Sequence, residues 1–189
     1  CTRILAALFV AVYGSCNWLT SQRQHTFRLY FDWELGIPLV PQMLWIYLSL
    51  FVLFLLPVFC LNRDALVLLS RRIACGILLS GVVFLLFPAQ LGFARTAQPD
   101  SLFGLIHALD HPHNLVPSLH IIISGLILGA LRGGSPLWLR HLCTLWFMLI
   151  CASVVLVHQH HLLDVLGGML VTCLLTYAVR PEGSAVWPG

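Results

Sequence analysis

Charge is scarce in this chain, and lysine is absent from it altogether. Charged residues make up 9% of the 189 residues, hydrophobic residues make up 59%, and the mean hydropathy is +0.92. A soluble domain of this length needs a larger polar fraction to cover its surface. The composition therefore excludes an ordinary soluble domain and predicts an integral membrane protein.

Cysteine pairs and basic clusters are missing as well. The seven cysteines show no Cys-x-x-Cys spacing and mostly fall within apolar runs, so they predict buried thiols and no structural disulfides. The ten basic residues are all arginines, scattered singly or in one pair. Nucleic-acid binding needs basic residues gathered on one face. We therefore expect a lipid bilayer, and not nucleic acid, as the partner of this chain.

Long apolar runs occupy most of the sequence. A membrane helix needs about 20 predominantly apolar residues, and hydropathy predicts an all-α integral membrane protein with six transmembrane helices in one domain, 1–189. The stretch 65–69 is expected to lie along the membrane surface. The chain ends soon after its last span, which is compatible with a missing cytoplasmic domain. The predicted spans are 4–19, 41–61, 73–87, 117–133, 137–157 and 161–179.

The arginines set the predicted orientation in the cell (inner) membrane. With both termini in the cytoplasm, Arg23, Arg28 and Arg95 fall outside and the other seven arginines fall inside, as the positive-inside rule favours. The long polar connections 21–40 and 88–116, and the turn before the last span, then share the outer face. Long connections in compact proteins are commonly functional. We expect the active site at this outer (periplasmic or lumenal) face.

Histidine is abundant for so apolar a chain, with nine copies. One histidine follows Pro117 and Ser118 in the stretch Val-Pro-Ser-Leu-His that opens the fourth span. The first turn of a helix leaves backbone N–H groups without partners, and together with the helix dipole they bind anions. Ser118 and the backbone of Leu119 are therefore predicted to bind phosphate, and His120 adds a titratable imidazole in the same turn.

A second stretch, His-Gln-His-His-Leu-Leu-Asp, opens the sixth span. His160 and Asp164 are four residues apart and so share one face of a helix. An aspartate bonded to one imidazole nitrogen fixes the tautomer and leaves the other nitrogen as a nucleophile. An ionisable pair at a membrane boundary is costly unless it is used. We predict that this pair is catalytic; the alternative is an interfacial pair that only satisfies itself.

These two stretches resemble the signature of the type 2 phosphatidic acid phosphatases. That signature is Pro-Ser-Gly-His, followed two spans later by Ser-Arg, five residues, His, three residues and Asp. The first half matches here with leucine in place of glycine. The second half matches at Ser153, His160 and Asp164, with Val154 in place of the arginine.

The resemblance covers about residues 32–180 and departs from the family at a third motif. The family carries a lysine seven residues before an arginine; here Pro88 occupies the lysine position and Arg95 is the candidate arginine. The leucine variant, the lost arginine and the stretch 32–45 resemble one branch, which contains the inositol phosphorylceramide synthases and related bacterial membrane phosphatases.

The resemblance implies a metal-independent reaction with no cofactor. His160 would attack phosphorus and form a phosphohistidine, with Asp164 orienting it and His120 protonating the leaving oxygen. Ser118, Arg95 and backbone amides at the helix start would hold the phosphate oxygens as charge builds on them. The two lost cations bear on phosphate binding more than on nucleophilic attack. They are compatible with slower hydrolysis of a phosphomonoester, or with a less charged substrate such as a phosphodiester.

We therefore expect hydrolysis of a membrane phospholipid or isoprenoid lipid phosphate, such as phosphatidate, phosphatidylglycerophosphate or a prenyl diphosphate. Transfer of a lipid head group shares the phosphoenzyme and differs only in its acceptor; hydrolysis is favoured because no acceptor site is evident. A non-catalytic phospholipid binder or transporter is the third alternative.

A zinc site is the rival to phosphohistidine chemistry. His107 and His111 are spaced i, i+4, with Asp110 and His113 beside them. Pro112 would break a helix there, which weakens the spacing argument. Either His158 or His161 would complete such a site.

Two further predictions concern packing. Trp33, Trp45 and Tyr47 are expected to be interfacial anchors of an aromatic belt. The Gly167–Gly168 pair is expected to let another helix approach closely.

Overall fold

Helices form almost all the regular structure of this chain. The computed structural model describes residues 2–23, 25–94 and 114–180, and within these ranges there is no strand, only one isolated bridge between Phe27 and Ala89. Short 3-10 helices lie at Asp32–Gly36 and Pro41–Met43. The α-helices are α1 (Thr2–Ser21), α2 (Leu44–Cys60), α3 (Arg63–Leu86), α4 (Leu119–Arg132), α5 (Leu137–Leu156) and α6 (Leu162–Ala178).

Four of these helices are long and apolar enough to cross a membrane: α1, α2 with the turn before it, α3 and α5. The other two, α4 and α6, are apolar but shorter, with 14 and 17 residues. At 1.5 Å per residue they span roughly 21 and 26 Å, against a hydrocarbon core of about 30 Å. The all-helical, membrane-compatible fold is thus confirmed, while a full crossing by α4 and by α6 stays a prediction.

The third helix begins earlier than the sequence suggested. Asn62 caps α3 by accepting a hydrogen bond from the Ala65 N–H at 2.9 Å, and the helix continues unbroken to Leu86. Leu69 is buried in the core. The prediction of a separate surface stretch at 65–69 is therefore wrong, because a capped helix start and a buried contact extend α3 through it.

The core of the bundle is built around α4, which packs against α2, α3, α5 and α6. A helix that is apolar on all sides is typical of a fully surrounded position, and α4 buries eight residues from Leu119 to Leu128. Large apolar side chains such as Phe51 and Phe59 on α2 face outward. An apolar exterior of this kind is compatible with a lipid environment.

One glycine permits an especially close approach of α4 and α6. A Cβ atom built at Gly168 would lie 2.7 Å from the Ile121 Cβ and 2.9 Å from the Ser118 carbonyl oxygen, closer than a side chain allows. A Cβ at Gly167 would lie 3.4 Å from Pro117, an ordinary contact. The close approach predicted from the glycine pair is confirmed, and Gly168 is the residue that requires it.

Candidate active site

The two predicted histidine stretches meet at one end of the bundle, where α4 and α6 begin and α5 ends. The Ser118 N–H donates a hydrogen bond to the Asp164 carbonyl oxygen at 3.0 Å. This bond fastens the start of α4 to the first turn of α6, close to the Gly168 contact. Residues 46 positions apart in sequence are therefore held in one small region.

The turn between α5 and α6 has the form of a Schellman motif. His158 adopts a left-handed conformation with φ 58°. Its N–H donates to the Val155 carbonyl at 2.9 Å, and the Gln159 N–H donates to the Val154 carbonyl at 3.0 Å. This hydrogen-bonded turn reverses the chain quickly and places His160 two residues before the start of α6.

His160 and Asp164 form the contact that their spacing predicts. The His160 Nδ1 and the Asp164 Oδ2 lie 3.1 Å apart, and their side chains are 5% and 1% exposed. The same Oδ2 accepts the backbone N–H of His161 at 2.8 Å. Because an ionised carboxylate only accepts hydrogen bonds, this contact favours the neutral tautomer of His160 with its proton on Nδ1 and its lone pair on Nε2. This is the state that a nucleophilic imidazole needs.

His120 faces this pair from α4. The ring centroids of His120 and His160 lie 6.0 Å apart in an edge-on arrangement. Tyr47 stacks on His120 with centroids 4.3 Å apart and is itself buried. Tyr47 faces the interior and packs on His120, so its prediction as an interfacial anchor is wrong. Trp33 and Trp45 are exposed, and their place in an aromatic belt stays a prediction.

The predicted phosphate-binding residues lie beside His120. Ser118 is fully buried at the start of α4, and its Oγ has no hydrogen-bond partner within the part of the chain that the structure describes. Leu119 follows as the first residue of the helix, where a backbone N–H has no acceptor within the helix itself. Arg95 lies outside the described residues.

Glu34 is a site residue that sequence reasoning missed. Its side chain is fully buried, and each carboxylate oxygen accepts a hydrogen bond from the backbone: Oε1 from Phe31 and Oε2 from Leu162, both at 2.9 Å. Its Oε2 also lies 3.2 Å from Nδ1 of His161. Glu34 and His161 are far apart in sequence. The sequence signal that could have found it was an acidic residue in an apolar stretch, but this signal does not indicate which residue it contacts.

His161 is held on all sides. The Gly92 N–H donates to its Nε2 at 3.0 Å, so Nε2 is unprotonated and Nδ1 donates to Glu34. Tyr30 and Phe93 both stack on its ring, with centroids 4.4 Å away. Both nitrogens of His161 are thus occupied, whereas Nε2 of His160 has no hydrogen-bond partner among the residues that the structure describes.

The site is poor in cations within the described ranges. Within residues 2–23, 25–94 and 114–180, no arginine forms a hydrogen bond or ion pair with Ser118, His120 or His160. Val154, at the position of the family's arginine, is fully buried in the core. The described site therefore offers imidazoles, a hydroxyl and helix-start amides to a ligand.

Residues 2–23, 25–94 and 114–180 contain no group of three His, Cys, Asp or Glu side chains placed to hold a metal ion, so they do not support the predicted zinc site. His158 and His161 instead contact the Ile37 carbonyl and Glu34. The remaining members of that hypothesis lie outside the described residues: His107, Asp110, His111 and His113.

Comparison of the chain with protein-family models, with curated proteins and with solved structures found no match. A function for this chain is therefore inferred from its residues and their geometry.

Proposed function

We propose that this protein is a membrane-embedded lipid phosphatase that works without a metal, through a phosphohistidine on His160. One observation carries the proposal: a buried His160–Asp164 pair, 3.1 Å apart, lies beside a second imidazole, His120, at the start of a neighbouring helix. A nucleophile, an orienting carboxylate and a proton donor are the three groups that such a reaction requires. The resemblance to the type 2 phosphatidic acid phosphatases supports the same assignment.

The reaction has two steps. The Nε2 lone pair of His160 attacks phosphorus, the bond from phosphorus to the lipid oxygen breaks, and His120 gives that oxygen a proton. Asp164 stabilises the positive charge that develops on the His160 ring. A water molecule then attacks the phosphohistidine, His120 takes the proton from that water, and inorganic phosphate leaves with His160 restored.

Phosphate binding falls to the start of α4. Helix-start amides and the buried hydroxyl of Ser118 provide donors for the phosphate oxygens, and the helix dipole favours the negative charge that builds on them. The backbone N–H of Leu119 is one such donor. Arg95 completes the set in this proposal, as the cation that the resemblance assigns there.

A lipid substrate suits the position of the site. The site lies at an end of an apolar bundle whose exterior carries large hydrophobic side chains. An amphiphile in the bilayer can keep its chains in lipid while its phosphate reaches the histidines. In this proposal the site faces the periplasm or lumen of a cell membrane, with both termini in the cytoplasm, as the arginine distribution favours.

Head-group transfer is the second candidate, and the buried Val154 favours it. The family's arginine is replaced by an uncharged core residue, and the chain contains no lysine. A phosphomonoester carries close to two negative charges at neutral pH, whereas a phosphodiester carries one. Fewer cationic ligands therefore suit a diester, whose phosphohistidine would pass to a lipid alcohol in place of water.

The test is phosphate release from a panel of lipid phosphates by protein purified in detergent, with and without EDTA. We expect EDTA-insensitive release and an acid-labile phosphoenzyme, and His160→Ala should lower the rate by at least about 10³-fold. His141→Ala is the matched control, because His141 is exposed near the other end of α5. It should leave the rate unchanged.

Three other outcomes identify the alternatives. Release that EDTA abolishes would replace the phosphohistidine with a metal mechanism. Labelled product formed only when a phosphodiester and a lipid alcohol are both present would identify a transferase. Stoichiometric lipid binding without turnover would identify a non-catalytic binder or transporter.

A further inference from the structure

We infer that Glu34 is a positioning residue for the nucleophile: it withdraws His161 from the reaction and fixes the start of α6, so that His160 alone presents a reactive nitrogen. This role deepens the function proposed above and depends on it for its catalytic consequence. Two adjacent histidines precede α6, and either ring could in principle act as the nucleophile.

Two adjacent imidazoles beside one aspartate present a problem of selection. Asp164 contacts both residues through the same Oδ2, accepting the ring proton of His160 and the backbone N–H of His161. If the His161 ring were free, it would offer a second nucleophile next to the first. Glu34 and Gly92 engage its Nδ1 and Nε2, at 3.2 and 3.0 Å.

Glu34 also fixes the helix that carries the orienting aspartate. Its Oε2 accepts the N–H of Leu162, the first residue of α6, which has no acceptor within the helix. A negative charge at a helix N-terminus is stabilising. The backbone of His161 is tied to Asp164, and its ring and the next N–H are tied to Glu34. Any shift of Glu34 is therefore passed to His160, the adjacent residue.

The hydrogen bonds require a carboxylate at this position. Both oxygens of Glu34 accept from N–H donors: Oε1 from Phe31, and Oε2 from Leu162 and His161. Glutamine has the same shape but carries an NH₂ group, which would face a donor in either orientation. Aspartate keeps two accepting oxygens but is one methylene shorter. Burial without pairing is costly for any polar group at this fully buried position.

The need for a carboxylate predicts an order of activity among the Glu34 variants that differs from the order expected from packing alone. If Glu34 only fills space, Glu34→Gln should resemble the wild type and Glu34→Asp should be worse, because glutamine conserves volume. If Glu34 acts as an acceptor, Glu34→Asp should retain more activity than Glu34→Gln, and Glu34→Ala should be the lowest of the three. Asp32→Asn is the matched control, since Asp32 lies in the same 3-10 helix but its side chain is 85% exposed.

The first measurement does not depend on turnover. Protein labelled with ¹⁵N at histidine is studied by NMR in detergent, and the His161 signals are assigned by their loss in His161→Phe. We expect the neutral tautomer with the proton on Nδ1 in the wild type and in Asp32→Asn, and a changed proton distribution in Glu34→Ala. A proton on Nε2 in the wild type, or an unchanged spectrum in Glu34→Ala, would overturn the inference.

The second measurement is the rate of phosphoenzyme formation, corrected for the fraction of active protein by the burst amplitude. Misplacement of a reacting group by about 1 Å costs on the order of 10²-fold in rate. Glu34→Gln should therefore slow phosphoenzyme formation by about that factor. Steady-state turnover of the same protein should show a similar fall in kcat, with KM for the lipid little changed. Equal kcat in Glu34→Gln and the wild type would refute the positioning role.

The two measurements separate the failures. If the wild type forms no phosphoenzyme but the NMR shows the expected tautomer and its loss in Glu34→Ala, the selection of His160 over His161 is supported and the phosphatase proposal fails. If phosphoenzyme forms normally in every Glu34 variant, the phosphatase proposal is supported and the positioning role fails.

Discussion

The contact between α4 and α6 allows a sharp test with one methyl group, Gly168→Ala. The added Cβ would lie 2.7 Å from the Ile121 Cβ and 2.9 Å from the Ser118 carbonyl oxygen. Carbon atoms in favourable contact are about 3.5–4.0 Å apart. Neither neighbouring atom is the end of a flexible side chain, so the helices must separate by roughly 1 Å.

Two opposing effects set the expected magnitude. Overpacking of a tight contact costs about 1–3 kcal/mol, while alanine in a helix is favoured over glycine by about 1 kcal/mol. Gly167→Ala receives the same helix benefit without the clash, because its Cβ would lie 3.4 Å from Pro117. We therefore expect Gly168→Ala to be less stable than Gly167→Ala by about 1–3 kcal/mol.

Separation of the two helices should also damage the candidate active site. The hydrogen bond from the Ser118 N–H to the Asp164 carbonyl spans this same contact at 3.0 Å. A displacement of about 1 Å between the phosphate-binding turn and the nucleophile should lower kcat by on the order of 10²-fold. Gly167→Ala should keep the wild-type rate.

The assay is thermal unfolding in detergent followed by circular dichroism, together with phosphate release. A difference of 1 kcal/mol corresponds to about 2–4 °C in Tm for a chain of this size. If Gly168→Ala is as stable and as active as Gly167→Ala, α4 and α6 do not approach as closely as described. The described geometry of the candidate site, which depends on that contact, would then be refuted.

Two further predictions test individual hydrogen bonds. Asp164→Asn should lower kcat by about 10²–10⁴-fold, because an amide cannot stabilise the charge on the His160 ring as a carboxylate does. Burst kinetics, together with a measurement of lipid binding, would check this. A rate within threefold of the wild type would remove Asp164 from the mechanism. Gly92→Ala should reduce both stability and rate, because the new Cβ would lie 2.5 Å from the Tyr30 ring and push the Gly92 N–H away from His161. An unchanged Tm and an unchanged His161 tautomer by NMR would contradict that contact.

Part of the candidate site was readable from local sequence. The i, i+4 spacing of His160 and Asp164 correctly predicted their contact, although His160 lies in the turn before α6 and not on a face of that helix. Likewise, proline followed by Ser118 marks a helix start and its unpaired N–H groups. These features depend on residues close together in the sequence, so local spacing is enough to predict them.

Other features depend on distant parts of the chain and had no local signal. Glu34 lies 127 residues from His161, and no spacing rule joins them. The sequence also did not distinguish Gly168 from Gly167, since the direction of α4 decides which of the two faces it. Tyr47 was expected at the interface because aromatic residues are common there, but its position on α2 turns it onto His120.

The apolar, helical and membrane-compatible character of this chain follows from its amino-acid sequence, because composition and hydropathy depend on each residue alone and helix starts depend on near neighbours. The packing of the helices, in contrast, sets which of two adjacent histidines has a nitrogen without a partner among the described residues. That choice follows from hydrogen bonds that Glu34 and Gly92 bring from other segments of the chain, and contacts of such sequence separation exist only once the helices have packed.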